Sequence, residues 1–281
     1  MGYYSMNWLV GLDWGIQWGT VFTVAGTLTA AFLGQVFSHR YSQKREDLKQ
    51  KKESFQNLYS PTIHHVTNYL YKEIDKQTDI IFNYKDEEDF ADEDDYFNPE
   101  KLFLEAFSLI GDNLKYANLE LIMQYQDIKS TNKLGKQFLS IDKTIKLCDI
   151  FITDYIKISK EIGVYSPNIK KKIEGILLFT KLYFLLLKME GLNFAYTTLS
   201  YADLLDKVGT KNTKYIKNAI QLQQKYEKYA EKNALNGTHT KRLKKLESET
   251  YKLLCDIGKQ FEPMGHEISD SWADHINKLK R

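Results

Sequence analysis

Cysteine, arginine and proline are scarce in this chain, and each scarcity closes off a class of protein. Only Cys148 and Cys255 occur among 281 residues, far apart and in apolar helical patterns. Two such residues define neither a disulfide framework nor a metal site; they read as small buried hydrophobes of a reduced, cytosolic domain. Arginine occurs only at Arg40, Arg45, Arg242 and Arg281. Sequence-specific readers of DNA and RNA depend on the planar guanidinium fork, so with a net charge of +2 no nucleic-acid partner is expected. Four prolines are few for this length, and long stretches carry neither proline nor glycine, which favours helices over short strands. The wealth of lysine, asparagine, isoleucine and tyrosine has the look of an AT-rich bacterial or mobile-element coding sequence.

The usual catalytic signatures are also missing. There is no GxGxxG, Walker A loop, GxSxG or HExxH. The pattern of the HEPN ribonucleases, Arg followed four to six residues later by His, is absent too, although that chemistry often resides in helical domains. His64 and His65 are adjacent, so on a helix they diverge by about 100° and cannot chelate one ion. The densest polar cluster is His266, Asp270 and Asp274 at i, i+4 and i+8, with Glu267 and His275 alongside. One helix can present such groups on one face, but a metal site needs further ligands from elsewhere, and a solvated amphipathic helix is the plainer reading. No catalytic residue, cofactor or metal is expected, and the chain reads as a non-enzyme.

What is present begins near the N-terminus. From Trp18 to Phe37 no charged residue occurs, and about 20 helical residues span the roughly 30 Å of a hydrocarbon core. Trp14 and Trp18 lead the run and Phe37 and Tyr41 trail it, as an interfacial aromatic belt would place them. Four threonines, three glycines and Gln35 dilute it; each strongly apolar residue contributes only about −0.3 to −0.6 kcal/mol at the bilayer centre. Asp13 is the sole charge before the run, whereas Arg40, Lys44, Arg45, Lys49, Lys51 and Lys52 follow it. The positive-inside rule therefore places the first residues outside the cell membrane and the C-terminal bulk in the cytosol. The same six cations could meet anionic headgroups, each contributing about 1 kcal/mol.

Within this run Gly15, Gly19, Thr23, Gly26, Ala30 and Gly34 recur at spacings of three or four. On a helix they form one small-residue seam, which lets two backbones approach closely in lipid, so self-association is expected. The segment from 38 to 60 contains no helix breaker. Gly34, Tyr41, Leu48 and Phe55 repeat every seven residues, but Lys44 and Lys51 occupy the second row that a coiled coil would need apolar. The expected organisation is a short extracytoplasmic or interfacial segment (1–17), a transmembrane helix (18–37), a basic juxtamembrane helix (38–60) and a cytosolic α-helical domain (61–281).

That last part reads as an all-α bundle. Pro61 opens a helix with Ser60 as N-cap, and Ile63, Val66, Leu70 and Ile74 line one face. An acidic loop over 85–98 lacks the order of a calcium loop. Asn98-Pro99 caps a helix whose seam runs Phe103, Phe107, Ile110, Leu114, Ala117, Leu121, Tyr125; Ile141, Ile145, Cys148, Ile152, Tyr155 repeat the pattern. Leu243, Leu246, Thr250, Leu253, Ile257 do so again, and Ile216, Ala219, Gln223, Tyr226, Ala230 more weakly. Gly175 to Lys188 is strongly apolar, with Glu174, Lys181 and Lys188 seven apart, which suits a central helix with one edge in water; Lys181 at mid-depth would oppose a membrane crossing. Two functions fit. One is a membrane-anchored, self-associating helical scaffold that binds a cytosolic protein partner. The other is an oligomeric membrane-disrupting effector of bacterial immunity or toxin type, triggered through the bundle.

Overall fold

The computed structural model describes residues 18–82, 98–133, 140–190, 195, 198–201, 205, 207–209, 213–233 and 241–278. Every regular element among them is helical. The chain divides into two compact units, Met1–Gln50 and Lys51–Arg281.

The described part of the first unit belongs to one helix, α1 (Trp18–Ser54), which ends just inside the second. Along it Phe22, Leu28 and Phe32 are each more than 60% exposed, at 69%, 66% and 66%. Among the described residues no helix is long and apolar enough to cross a membrane. The physical reason lies in the composition of the run, where Thr23, Gly26, Thr27, Thr29, Gly34 and Gln35 alternate with its apolar residues. The side chains of 18–21, which open the expected span, are outside the described residues, as are Gly15 and the whole of 1–17.

In the second unit the expected break at Pro61 does not occur. The helix passes through a π turn, Phe55–Tyr59, and continues as α2 (Ser60–Phe82). Proline has no N–H and its ring collides with the carbonyl four residues back. Here the turn before it is widened, with the Ser60 N–H bonded to the Phe55 carbonyl five residues away. Ser60 is accordingly helical rather than an extended N-cap. The acidic stretch expected as a loop lies outside the described residues apart from Asn98.

Helix α3 (Pro99–Asp112) starts as expected: Asn98 accepts the Glu100 N–H at 2.9 Å, and Pro99 occupies a position whose missing N–H costs nothing. The seam running on to Tyr125 is not one helix, however. It is interrupted by a 3-10 turn, Leu114–Tyr116, and restarts as α4 (Leu119–Lys133), with Asn118 accepting the Leu121 N–H at 2.8 Å. Phe107 and Tyr125 nevertheless meet, stacked 4.2 Å apart, because the turn folds α4 back on α3.

Then come α5 (Ile141–Glu161), α6 (Pro167–Glu190), α7 (Thr213–Asn233), α8 (Lys241–Gly258) and α9 (His266–Asn277). Gly163, at φ 77°, makes the turn between α5 and α6, a backbone region costly for residues bearing a Cβ. α6 packs against α2, α5 and α7; α7 packs on α8, and α8 on α9. Every residue from Ile173 to Leu186 is buried. A helix apolar nearly all round belongs in the middle of a bundle, so the expected central position holds. The expected wet edge does not: Glu174 and Lys181 are buried with the rest, and only Lys188 reaches solvent.

Candidate functional site

A cluster of buried polar groups lies where α5, α6 and α2 meet. Asp149 of α5 is 1% exposed, and both of its oxygens are engaged. Lys181 Nζ donates to Oδ2 at 2.7 Å, and Thr180 Oγ1 donates to Oδ1 at 2.7 Å. A buried charge tolerates the interior only when paired and hydrogen-bonded in this way. Further along, the Tyr69 and Thr144 hydroxyls are 2.6 Å apart, and Tyr183 donates to Asp142. Burial, reinforced by Asp149 and Glu73, pushes the Cys148 thiol far above its ordinary range. A thiol held protonated in this way is a poor nucleophile, so Cys148 behaves as the small hydrophobe that its spacing suggests.

A second carboxylate sits at the π turn. Asp154 Oδ2 accepts from Asn118 Nδ2 at 2.5 Å and from Tyr59 at 3.4 Å. Desolvation raises its pKa to about 6, against the smaller lowering effect of the Tyr59 hydrogen bond. Burial and the same carboxylate raise the Tyr59 phenol far above its usual value. A third, Glu174, accepts from Tyr165 at 2.9 Å, while its other oxygen lies 3.7 Å from Lys170 Nζ.

The C-terminal cluster is dispersed rather than convergent. His266, Asp270 and Asp274 are exposed, whereas His275 turns inward. It stacks on Tyr201 at 5.5 Å, lies 5.9 Å from Trp272, and its Nε2 is 3.4 Å from Thr198 Oγ1. Burial lowers its pKa to about 4. Among the described residues, no group of three or more His, Cys, Asp or Glu could hold a metal ion. His65 faces Glu105 at 3.4 Å and His64 faces Asn68, so the adjacent pair diverges as its spacing requires.

The chain matches no family model, no curated protein and no solved structure.

A Cβ added at Gly26 or Gly34 would meet nothing within 4 Å, and Thr23 and Ala30 are exposed. Gly19 lies in the helix, but its surroundings are outside the described residues. Thr27 and Thr29 donate to the carbonyls of Thr23 and Ala25 at 2.7 and 2.8 Å, so their hydroxyls are satisfied within the helix. Of the six cations after the run, Arg40, Lys44, Arg45, Lys49 and Lys52 are exposed. Lys51 is half-buried and paired to Glu161 at 2.9 Å, a contact that sequence reasoning missed because its partner lies far along the chain. The buried Asp149–Lys181 pair escaped for the same reason.

Proposed function

We propose that the chain is a membrane-anchored, non-enzymatic helical interaction protein, held at the cell membrane by Trp18–Phe37 and self-associating through the Gly15–Gly34 seam. The observation that carries this reading is the exposure of Val24, Leu28, Phe32, Leu33 and Phe37 along one helix. So long an apolar surface needs a cover, and lipid or another copy supplies it. The run falls short of a strongly apolar span, and close packing of several copies along the glycines would offset that shortfall. Threonines that bond to their own helix carry a reduced penalty in lipid. The exposed cations beyond Phe37 favour the bundle on the cytosolic side, where it would bind a protein partner.

A second reading, an oligomeric membrane-disrupting effector triggered through the bundle, draws on Gln35, whose exposed carboxamide lies within the run. Carbonate washing of membranes from cells expressing the full chain tests the shared premise. Retention in the pellet is expected, with cross-linked oligomers that Gly26→Leu and Gly34→Leu abolish. Free extraction without detergent refutes both readings. Growth arrest with dye uptake, lost in the same glycine variants, selects the effector. Function retained with an unrelated membrane helix selects the scaffold.

A further inference from the structure

Three observations converge on the π turn. The first is its cause: Pro61 denies the Asn57 carbonyl a donor, and the chain accommodates the ring by taking one extra residue into the turn. The second is its cost. Thr62 is completely buried, and its hydroxyl has no hydrogen-bond partner among the described residues. The other buried threonines of the long helices, Thr144, Thr180 and Thr250, each donate to a carbonyl three or four residues back. For Thr62 those carbonyls belong to Leu58 and Tyr59, inside the π turn. The third is a mismatch of phase. Gly34, Tyr41, Leu48 and Phe55 continue in steps of seven to Thr62 and Tyr69, and residues seven apart on a regular α-helix share a face to within about 20°. Thr62 and Tyr69 are buried, yet Phe55 is only half-buried and Ser54 shares its place. The sequence is thus spaced for the register that the π turn interrupts.

We propose that Phe55–Tyr59 is a one-residue register switch, with a second packing in which the extra residue is expelled and the turn becomes regular α-helix. α2 stays seated through Val66, Tyr69 and Leu70, while the residues before the turn rotate about their own axis by about 100° and advance by about 1.5 Å. In the observed register Phe55 packs on Tyr155 at 5.6 Å and Lys51 pairs with Glu161. In the second register both contacts break, and the Thr62 hydroxyl regains a carbonyl. Pro61 opposes that register and Thr62 opposes the observed one, so the two residues hold the turn between alternatives.

Fluorine NMR of the full chain carrying para-fluorophenylalanine at position 55 reads the two packings. Two resonances in slow exchange are expected. Pro61→Ala, which restores the donor and removes the ring, raises the share of the second severalfold. Thr62→Val, which removes the orphan hydroxyl, empties it. A lone resonance in all three proteins makes the π turn a fixed insertion and overturns the proposal. Should Pro61→Ala fail to fold, Thr62→Val decides alone. Loss of the second resonance supports the switch; a lone resonance in the parent, or a ratio left unaltered, overturns it.

Discussion

Replacing Lys181 by Met should be among the most damaging single changes in the bundle. The side chain is 8% exposed, and its ammonium sits 2.7 Å from Asp149, which is 1% exposed. Met fills a similar volume, so packing changes little; what changes is that a carboxylate is left in the interior with the Thr180 hydroxyl as its remaining hydrogen-bond donor among the described residues. Stranding one member of a buried pair costs about 3–5 kcal/mol. For a domain of this size about 1 kcal/mol moves the melting temperature by roughly 2–4 °C, so a fall of roughly 10 °C is expected by circular dichroism, with a matching shift in urea midpoint. The decisive comparison is the double variant Asp149→Leu with Lys181→Met. It leaves no charge to strand, and Thr180 keeps its bond to the Leu177 carbonyl at 3.1 Å. Most of the lost stability should return, to within about 1–2 kcal/mol of the parent, since hydrophobic replacement of a buried pair is often close to neutral. A cost below about 1 kcal/mol for Lys181→Met, or a double variant no better than the single, would refute the argument.

Two further expectations concern acid and packing. His275 has a folded pKa of about 4 against an ordinary 6.5, so below pH 6.5 the unfolded chain takes up a proton that the folded chain refuses. Stability falls from there to about pH 4 and then levels, by about 2–3 kcal/mol. Asp154, raised from 3.8 to about 6, pulls the opposite way as pH drops from 6 to 4. The measurement is therefore the difference between parent and His275→Phe in urea melts across that range, and a difference flat with pH would disprove it. Gly209→Ala should destabilise by about 1–3 kcal/mol, because its Cβ would lie 2.8 Å from Gly175 Cα and 2.9 Å from the Glu174 carbonyl, neither of which can swing aside. An unchanged urea midpoint would show that the two backbones are not held so close.

Local signals were legible and distant partnerships were not. Asn98-Pro99 marked a helix start because capping is written in adjacent residues, and the apolar density of Gly175–Lys188 marked a core helix because burial on all sides leaves no polar face to hide. Lys181 looked like an edge residue because its counter-charge is 32 residues away on another helix, where spacing says nothing of it. Pro61 looked like the start of a new helix because a π turn has no compositional mark, although the adjacent buried pair Leu58 and Tyr59 is what a widened turn produces. The seam from Phe103 to Tyr125 concealed two helices because a 3-10 turn preserves the rhythm of three and four, and only Asn113 and Asn118 punctuate it. His275 stood in a polar cluster read as solvated, and one residue of helical rotation separates it from its exposed neighbour Asp274. Of the α1 seam, Gly26 and Gly34 have room for a Cβ, and Thr23 and Ala30 are exposed.

The enclosure of α6 bears on how this protein could act at a bilayer. Every side of its apolar stretch from Ile173 to Leu186 is already taken by neighbouring helices. Withdrawing it would open the centre of the molecule to water and unpair Asp149 in the same motion. Any contribution the bundle makes to a membrane event must therefore come with its axle in place.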